Sequence, residues 1–372
     1  MAQYFTERLQ KVFHMIFKSY NQEMAQEGLR QLELIVNNQQ SPEQTKHQAL
    51  RNDMTTSLEN EIDTKEDALK IANNPESREI ADAYALLARI YAGPRFTWEE
   101  SNFPENNMRT YQCLHDSIRR CSPIGTLQAL RINGTITPTV EKDMLISFND
   151  AFRIVYDYAE QGDAFCQYII GNVFFWRDDD RISLAREMIT PPRLSWAKRI
   201  QQSLQKGSIQ ERLIALQGTI SNETLQENAT KLAKEWFNKA LDNGLAMFQG
   251  NLRNIYIDEG DFNNARRVAL TAAELGNPTM MLYTGLDCHE NGKFEDAFTW
   301  FTKGAALGQA ESTAELADYY YHFYDAKELR RVIPYDPVKA IGLYRRAATK
   351  YFSDAGYAAL QAAFGYIFHI GH

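Results

Sequence analysis

Long hydrophobic runs, paired cysteines and an excess of positive charge are all missing from this sequence, and each absence removes a class of function. No apolar stretch approaches the ~20 residues that a membrane-crossing helix needs. Four cysteines, at 113, 121, 166 and 288, form no C-x-x-C pair. Neither a thiolate metal site nor a disulfide framework is expected, and the thiols read as buried or half-buried core residues. Lysine and arginine number 40 against 48 acidic residues, a formal charge of −8. A dominant nucleic-acid or anionic-membrane partner would require the opposite field. With only 11 prolines and 44% hydrophobic residues, the chain is a folded one rather than a disordered one. The opening "MAQYFTERLQKVFHMIF" has no basic start, continuous apolar centre or small-residue cleavage site, so the protein reads as cytoplasmic.

Catalytic signatures are missing too. Seven histidines show no H-E-x-x-H or triad arrangement, and there is neither a Gly-rich phosphate loop nor a nucleophile elbow. The last four residues spell HIGH, a nucleotide-binding signature of one class of aminoacyl-tRNA synthetases. In those enzymes the motif follows a strand near the start of a dinucleotide-type fold. Here it closes a predicted helix at the end of the sequence, with no KMSKS-like partner and no parallel-sheet pattern. The string "RDDDR", 177–181, lacks the alternating ligands and closing glutamate of a calcium loop and reads as a solvated, self-neutralising loop. The chain is therefore read as non-enzymatic, with no catalytic residues, cofactor or metal.

What is abundant is aromatic residues, 20 Phe and 19 Tyr, and a period. "WFNKALDNG" (236–244) and "WFTKGAALG" (300–308) lie 64 positions apart, with "VALTAAELG" (268–276) midway, so Gly244, Gly276 and Gly308 are spaced 32 apart. After each glycine comes a small residue, another seven later, and usually an aromatic three beyond that. Ala81, Ala88 and Tyr91 follow the pattern, as do Ala164, Gly171 and Phe174; Ala310, Ala317 and Tyr320; and Ala358, Gly365 and Phe368. Ala246, Arg253 and Tyr256, and Pro278, Gly285 and Cys288, are imperfect copies. Such spacings place the residues on one helix face.

A second helix carries small residues at Ala233 and Ala240, Ala265 and Ala272, Ala297 and Gly304, and Ala340 and Ala347, with Phe237, Phe301 and Tyr344 between them. Small side chains mark where two helices approach closely. The unit is a helical hairpin that needs a neighbouring hairpin to cover its apolar face. Longer spacings, as between Gly162 and Gly207, are expected to place the extra residues in loops between paired helices.

The run "DPVKAIGLYRRAA", 336–348, resembles the second helix of a Sel-one-like repeat, and "AAFGYIFHIG" resembles its first helix. The resemblance covers roughly 77–372 and is best from 233 onward. Tetratricopeptide repeats share part of the spacing, but their unit length is constant and closed by a proline that is missing here. The resemblance implies an all-α fold, a right-handed α/α superhelical solenoid of helical hairpins with an N-terminal helical cap. It implies a bacterial adaptor or scaffold that holds a protein or peptide partner along its concave face. A structural self-assembly module, or the regulatory part of a larger bacterial enzyme or effector, is the alternative.

On this reading residues 1–76 form the N-terminal helical cap region, 77–351 the repeats and 352–372 a terminal unpaired repeat helix. The stripe Phe5, Leu9, Val12, Phe13, Ile16, Phe17 and Tyr20 makes 1–37 an amphipathic helix, expected to cover the open end of the stack or else to serve as a docking pair. The last helix would leave Leu360, Phe364, Ile367 and Phe368 unpaired on one side. It would then be a piece of a longer protein, a bare cap or a site of self-association. If tetratricopeptide-like spacing holds, the partner groove is lined by Tyr168, Asn172, Phe175, Trp176, Asn254, Asp258, His289, Glu290, Asp318, Tyr321, His322, Tyr366 and His369. Aromatic residues with polar handles and a few acids suit a peptide.

Overall fold

A computed structural model describes residues 3–37, 64–132, 141–142, 144–192, 195–209, 220–247, 249–323 and 327–349. Among them every regular element is a helix and no strand occurs. The amphipathic start is two helices, α1 (Glu7–Phe17) and α2 (Gln22–Asn37), rather than one. Tyr20, at φ 48°, turns the chain between them through the left-handed region. Then follow α3 (Lys65–Asn73), α4 (Pro75–Tyr91), α5 (Asn107–Arg119), α6 (Pro123–Ile132), α7 (Phe148–Glu160) and α8 (Ala164–Phe175). The insertion after α8 carries α9 (Ser183–Ile189) and α10 (Trp196–Leu204). The helices α11 (Asn222–Asp242), α12 (Gly250–Asp258), α13 (Phe262–Glu274), α14 (Pro278–Glu290), α15 (Phe294–Ala306), α16 (Ala310–Tyr321), α17 (Lys327–Val332) and α18 (Pro337–Ala348) complete the array.

The chain divides into two compact units that interleave in sequence. The first comprises Met1–Tyr4, Gln48–Ala85 and His115–Ala240. Its α6, α7 and α8 pack in sequence, with α3 and α9 on α7. Local signals start its helices: Thr64 caps α3, and Ser147 and Asp150 form a capping box on α7. At its centre Arg78 is fully buried, its guanidinium 4.1 Å from the Tyr4 ring centroid and 5.3 Å from that of Tyr158. Asp82 accepts hydrogen bonds from Arg78 (3.0 Å), the Ser122 hydroxyl (2.7 Å) and the Tyr4 hydroxyl (3.2 Å). Burial pushes its carboxyl up to about 6 despite the neighbouring guanidinium.

The "RDDDR" string is not a solvated loop. Asp178 and Asp179 are buried, and of the three aspartates only Asp180 faces solvent. Asp179 pairs with Arg177 (2.7 Å) and Arg186 (2.6 Å), and Asp178 with Arg131. The insertion folds back onto α7 as a short helix, which takes these carboxylates out of water, and the surrounding arginines compensate them.

The second unit comprises Phe5–His47, Leu86–Leu114 and Leu241–His372. From α12 to α16 each helix packs on the next, and α18 packs on α16. The glycines of the 32-residue period sit at positive φ, Gly244 at 79°, Gly276 at 103° and Gly308 at 88°. A side chain at these turns would be strained, which is why the period is written in glycine. Gly260 and Gly292 repeat the device at the turns within each hairpin, at 74° and 73°. The apolar stripe of α1 is buried throughout, and the Tyr20 ring lies against the Gly276 turn and edge-on to Trp98 at 5.8 Å.

The described seam alanines and glycines of both helix types are buried, Ala164 alone being half-buried. This is helical-hairpin stacking of the kind an α-solenoid uses. The proposed self-association helix, 352–372, lies outside the described residues.

Candidate functional site

Most of the expected groove residues turn out to hold helices together. In the first unit Tyr168 and Asn172 are only 5% and 8% exposed. The Tyr168 ring lies among Phe165 and Phe237, each at 6.1 Å, so both residues belong to the interior rather than to a groove. Phe175 is half-buried edge-on to Phe237 at 6.0 Å. Trp176 is 50% exposed, with the Arg131 guanidinium 5.5 Å from its ring.

In the second unit His289 Nδ1 lies 2.7 Å from the Tyr319 hydroxyl. His322 terminates α16 at φ 54° with Nε2 2.7 Å from the Ile333 carbonyl oxygen. Asp318 accepts the Tyr344 hydroxyl across the α16–α18 contact, and burial pushes its carboxyl up to about 6. Tyr321 is half-buried, 6.1 Å from Tyr335. Asn254, Asp258 and Glu290 are exposed. Tyr366 and His369 lie outside the described residues.

A cleft among the described residues lies at a break in the repeat. A Cβ on Gly171 would fall 2.6 Å from the Phe237 ring, and one on Gly285 would fall 2.5 Å from the Phe301 ring. In each case a small first-helix residue receives a second-helix aromatic. Ala317 and Tyr344 occupy the same two positions in the following hairpin and share one buried core cluster. In the hairpin of α12 and α13 the sizes are exchanged: Arg253 stands where the others have Ala or Gly, and Ala269 where they have Phe or Tyr.

Beside this exchanged pair lies a cleft of about 780 Å³, to which Arg253, Ala269 and residues of α12 to α15 contribute. Phe262 and Leu270 on its wall are 58% and 41% exposed, and Tyr283 and Trp300 add aromatic surface. The Arg253 guanidinium lies 4.0 Å from the Tyr283 ring centroid, and Arg266 pairs with Asp287. Of the residues expected to line a groove, only Glu290 reaches this cleft. The signal was present in the sequence as the imperfect copy at Arg253 and the missing aromatic at 269.

No helix among the described residues is long and apolar enough to cross a membrane. Nor do the described His, Cys, Asp and Glu residues form a group of three that could hold a metal ion.

No protein-family model matches the chain, and no curated protein matches it either. Among solved structures it is similar to a Sel1 repeat protein from Oxalobacter formigenes, at 15% identity and a TM-score of 0.36, over 74% of this chain and 87% of that one. It is also similar to c5321, a protective antigen of uropathogenic Escherichia coli strains displaying an SLR fold. That likeness has 16% identity and a TM-score of 0.31, over 82% of this chain and 68% of the other. Both are Sel1-type repeat structures, the kind that residues 336–348 resemble. At these scores the likeness adds nothing to the architecture, which rests on the hairpins themselves.

Proposed function

We propose that the protein is a non-enzymatic scaffold that binds a segment of a partner protein in the cleft between α12 and α15. The observation that carries this reading is the exchange at Arg253 and Ala269. The neighbouring hairpins set an aromatic ring against a small residue at these positions, whereas this one sets Arg253 against Ala269 beside a cleft whose Phe262 and Leu270 are exposed. Open apolar surface with convergent polar groups is what a binding cleft needs and a packing core does not.

A photo-crosslinking residue placed at Leu270 should capture a discrete partner in the producing cell. The same residue at Leu34, exposed on α2, serves as the control. Equal labelling from the two positions, or none from 270, would sink the assignment of this cleft.

A further inference from the structure

We propose that the segment bound in this cleft is acidic, presenting a carboxylate to Arg253 beside a bulky apolar side chain that settles against the exposed Leu270 and Phe262. The inference rests on the scaffold reading above and specifies its partner. An arginine at a position where the other hairpins use alanine or glycine contributes nothing that packing requires, and ordering it costs rotamer freedom. Its guanidinium is nevertheless held over the Tyr283 ring, 4.0 Å from the centroid, and a guanidinium on a ring face can still offer N–H donors to a carboxylate.

Among the described residues no carboxylate pairs with Arg253, although acids outnumber bases 48 to 40 in the chain. The neighbouring cation, Arg266, is by contrast already taken by Asp287. Near the α14–α15 turn Glu290, Lys293 and Asp296 are all exposed and leave one net negative charge there. Arg267, the third arginine of the lining, donates to Asn264, so Arg253, held on an aromatic ring, is the cation that a partner carboxylate would meet. A carboxylate and a large apolar side chain close together in one segment complement this cation and the exposed Leu270 and Phe262.

The test is selection of a random-peptide library on the intact protein, followed by fluorescence anisotropy of the enriched peptides. They should share Asp or Glu next to Leu, Ile, Met or an aromatic residue. Their affinity should fall about tenfold or more in Arg253→Glu, less in Arg253→Lys, and should weaken as salt is raised. Circular dichroism confirms that the variants are folded, and Arg253→Gln replaces the charge reversal if it is not. Enriched peptides with no common acid, or with equal affinity for wild type and Arg253→Glu, overturn the acidic assignment while leaving the scaffold. Failure to enrich any peptide overturns the scaffold reading and this inference with it.

Discussion

Gly285 lies directly under the ring of Phe301, so close that a single added methyl group would sit 2.5 Å from its Cε1. Gly171 meets Phe237 in the same way. The two contacts come from different hairpins, one with its helices adjacent in sequence and one with the long 176–221 insertion between them. The packed faces are therefore conserved in geometry while the connection varies. Insertions at that edge are tolerated because the energy lies in the small-on-aromatic seam rather than in the loop.

Gly285→Ala should destabilise the protein by about 1–3 kcal/mol through overpacking, and Phe301→Ala by about 3–5 kcal/mol through loss of a buried ring. Phe301→Leu should rescue part of the cost of Gly285→Ala, since the shorter side chain vacates the space that the methyl group enters. Urea denaturation of the single and double variants measures this. Strictly additive effects would show that the two residues do not share the contact.

Much of this architecture was legible in the sequence because the packing constraint is local. Close helix approach demands small residues, the turns demand glycine, and both recur at readable spacing; the Gly260 and Gly292 turns, which share the 32-residue spacing, emerge only from the structure. The position of the binding surface was not legible by the same route. Transferred spacing placed Tyr168, His289 and His322 in a groove, yet each is engaged by a partner many residues away, Phe237, Tyr319 and Ile333 respectively. Such pairings depend on how neighbouring hairpins meet. Likewise buried Asp178 of "RDDDR" is paired with Arg131 from a preceding helix, which local sequence cannot announce, whereas Asp179 pairs with the local Arg177 and Arg186.

Arg78 and Asp82 form an ion pair with both side chains fully or almost fully enclosed. Arg78→Met should cost about 3–5 kcal/mol, because it strands a buried carboxylate. Adding Asp82→Leu should recover a large part of that loss, although the Ser122 and Tyr4 hydroxyls then lose their acceptor. If the double variant were no more stable than Arg78→Met in thermal denaturation, the penalty would lie in the cation stack on Tyr4 and Tyr158 instead.

Asp318 supplies a pH dependence of defined sign. Burial raises its carboxyl to about 6 against the opposing hydrogen bond from Tyr344, and the charge of Glu315 adds to the rise. The folded state therefore holds a proton that the unfolded chain has already released. Its contribution is complete below about pH 4 and is lost as pH rises through about 6. Asp318→Asn keeps an acceptor for the Tyr344 hydroxyl and removes the titration. Relative to wild type it should gain on the order of 2 kcal/mol near pH 7 and little near pH 4. Identical stability differences at the two pH values would refute the assignment.

The exchanged pair makes the sharpest prediction about the cleft. Arg253→Ala with Ala269→Phe restores at this hairpin the sizes found at Gly171 and Phe237 and at Gly285 and Phe301, so the new ring should enter the space that the Arg253 side chain gives up and meet a small residue. Burying it should stabilise the fold by roughly 1.5–3 kcal/mol. Ala269→Phe alone should gain less, because the Arg253 side chain stays at the facing position. The same double substitution should abolish crosslinking from Leu270, since the cation is removed and the added ring alters the floor of the cleft. Greater stability with loss of binding means that the departure from the repeat exists for recognition. A double variant that folds, melts no higher than wild type and still crosslinks would show that the exchange at 253 and 269 has no part in recognition.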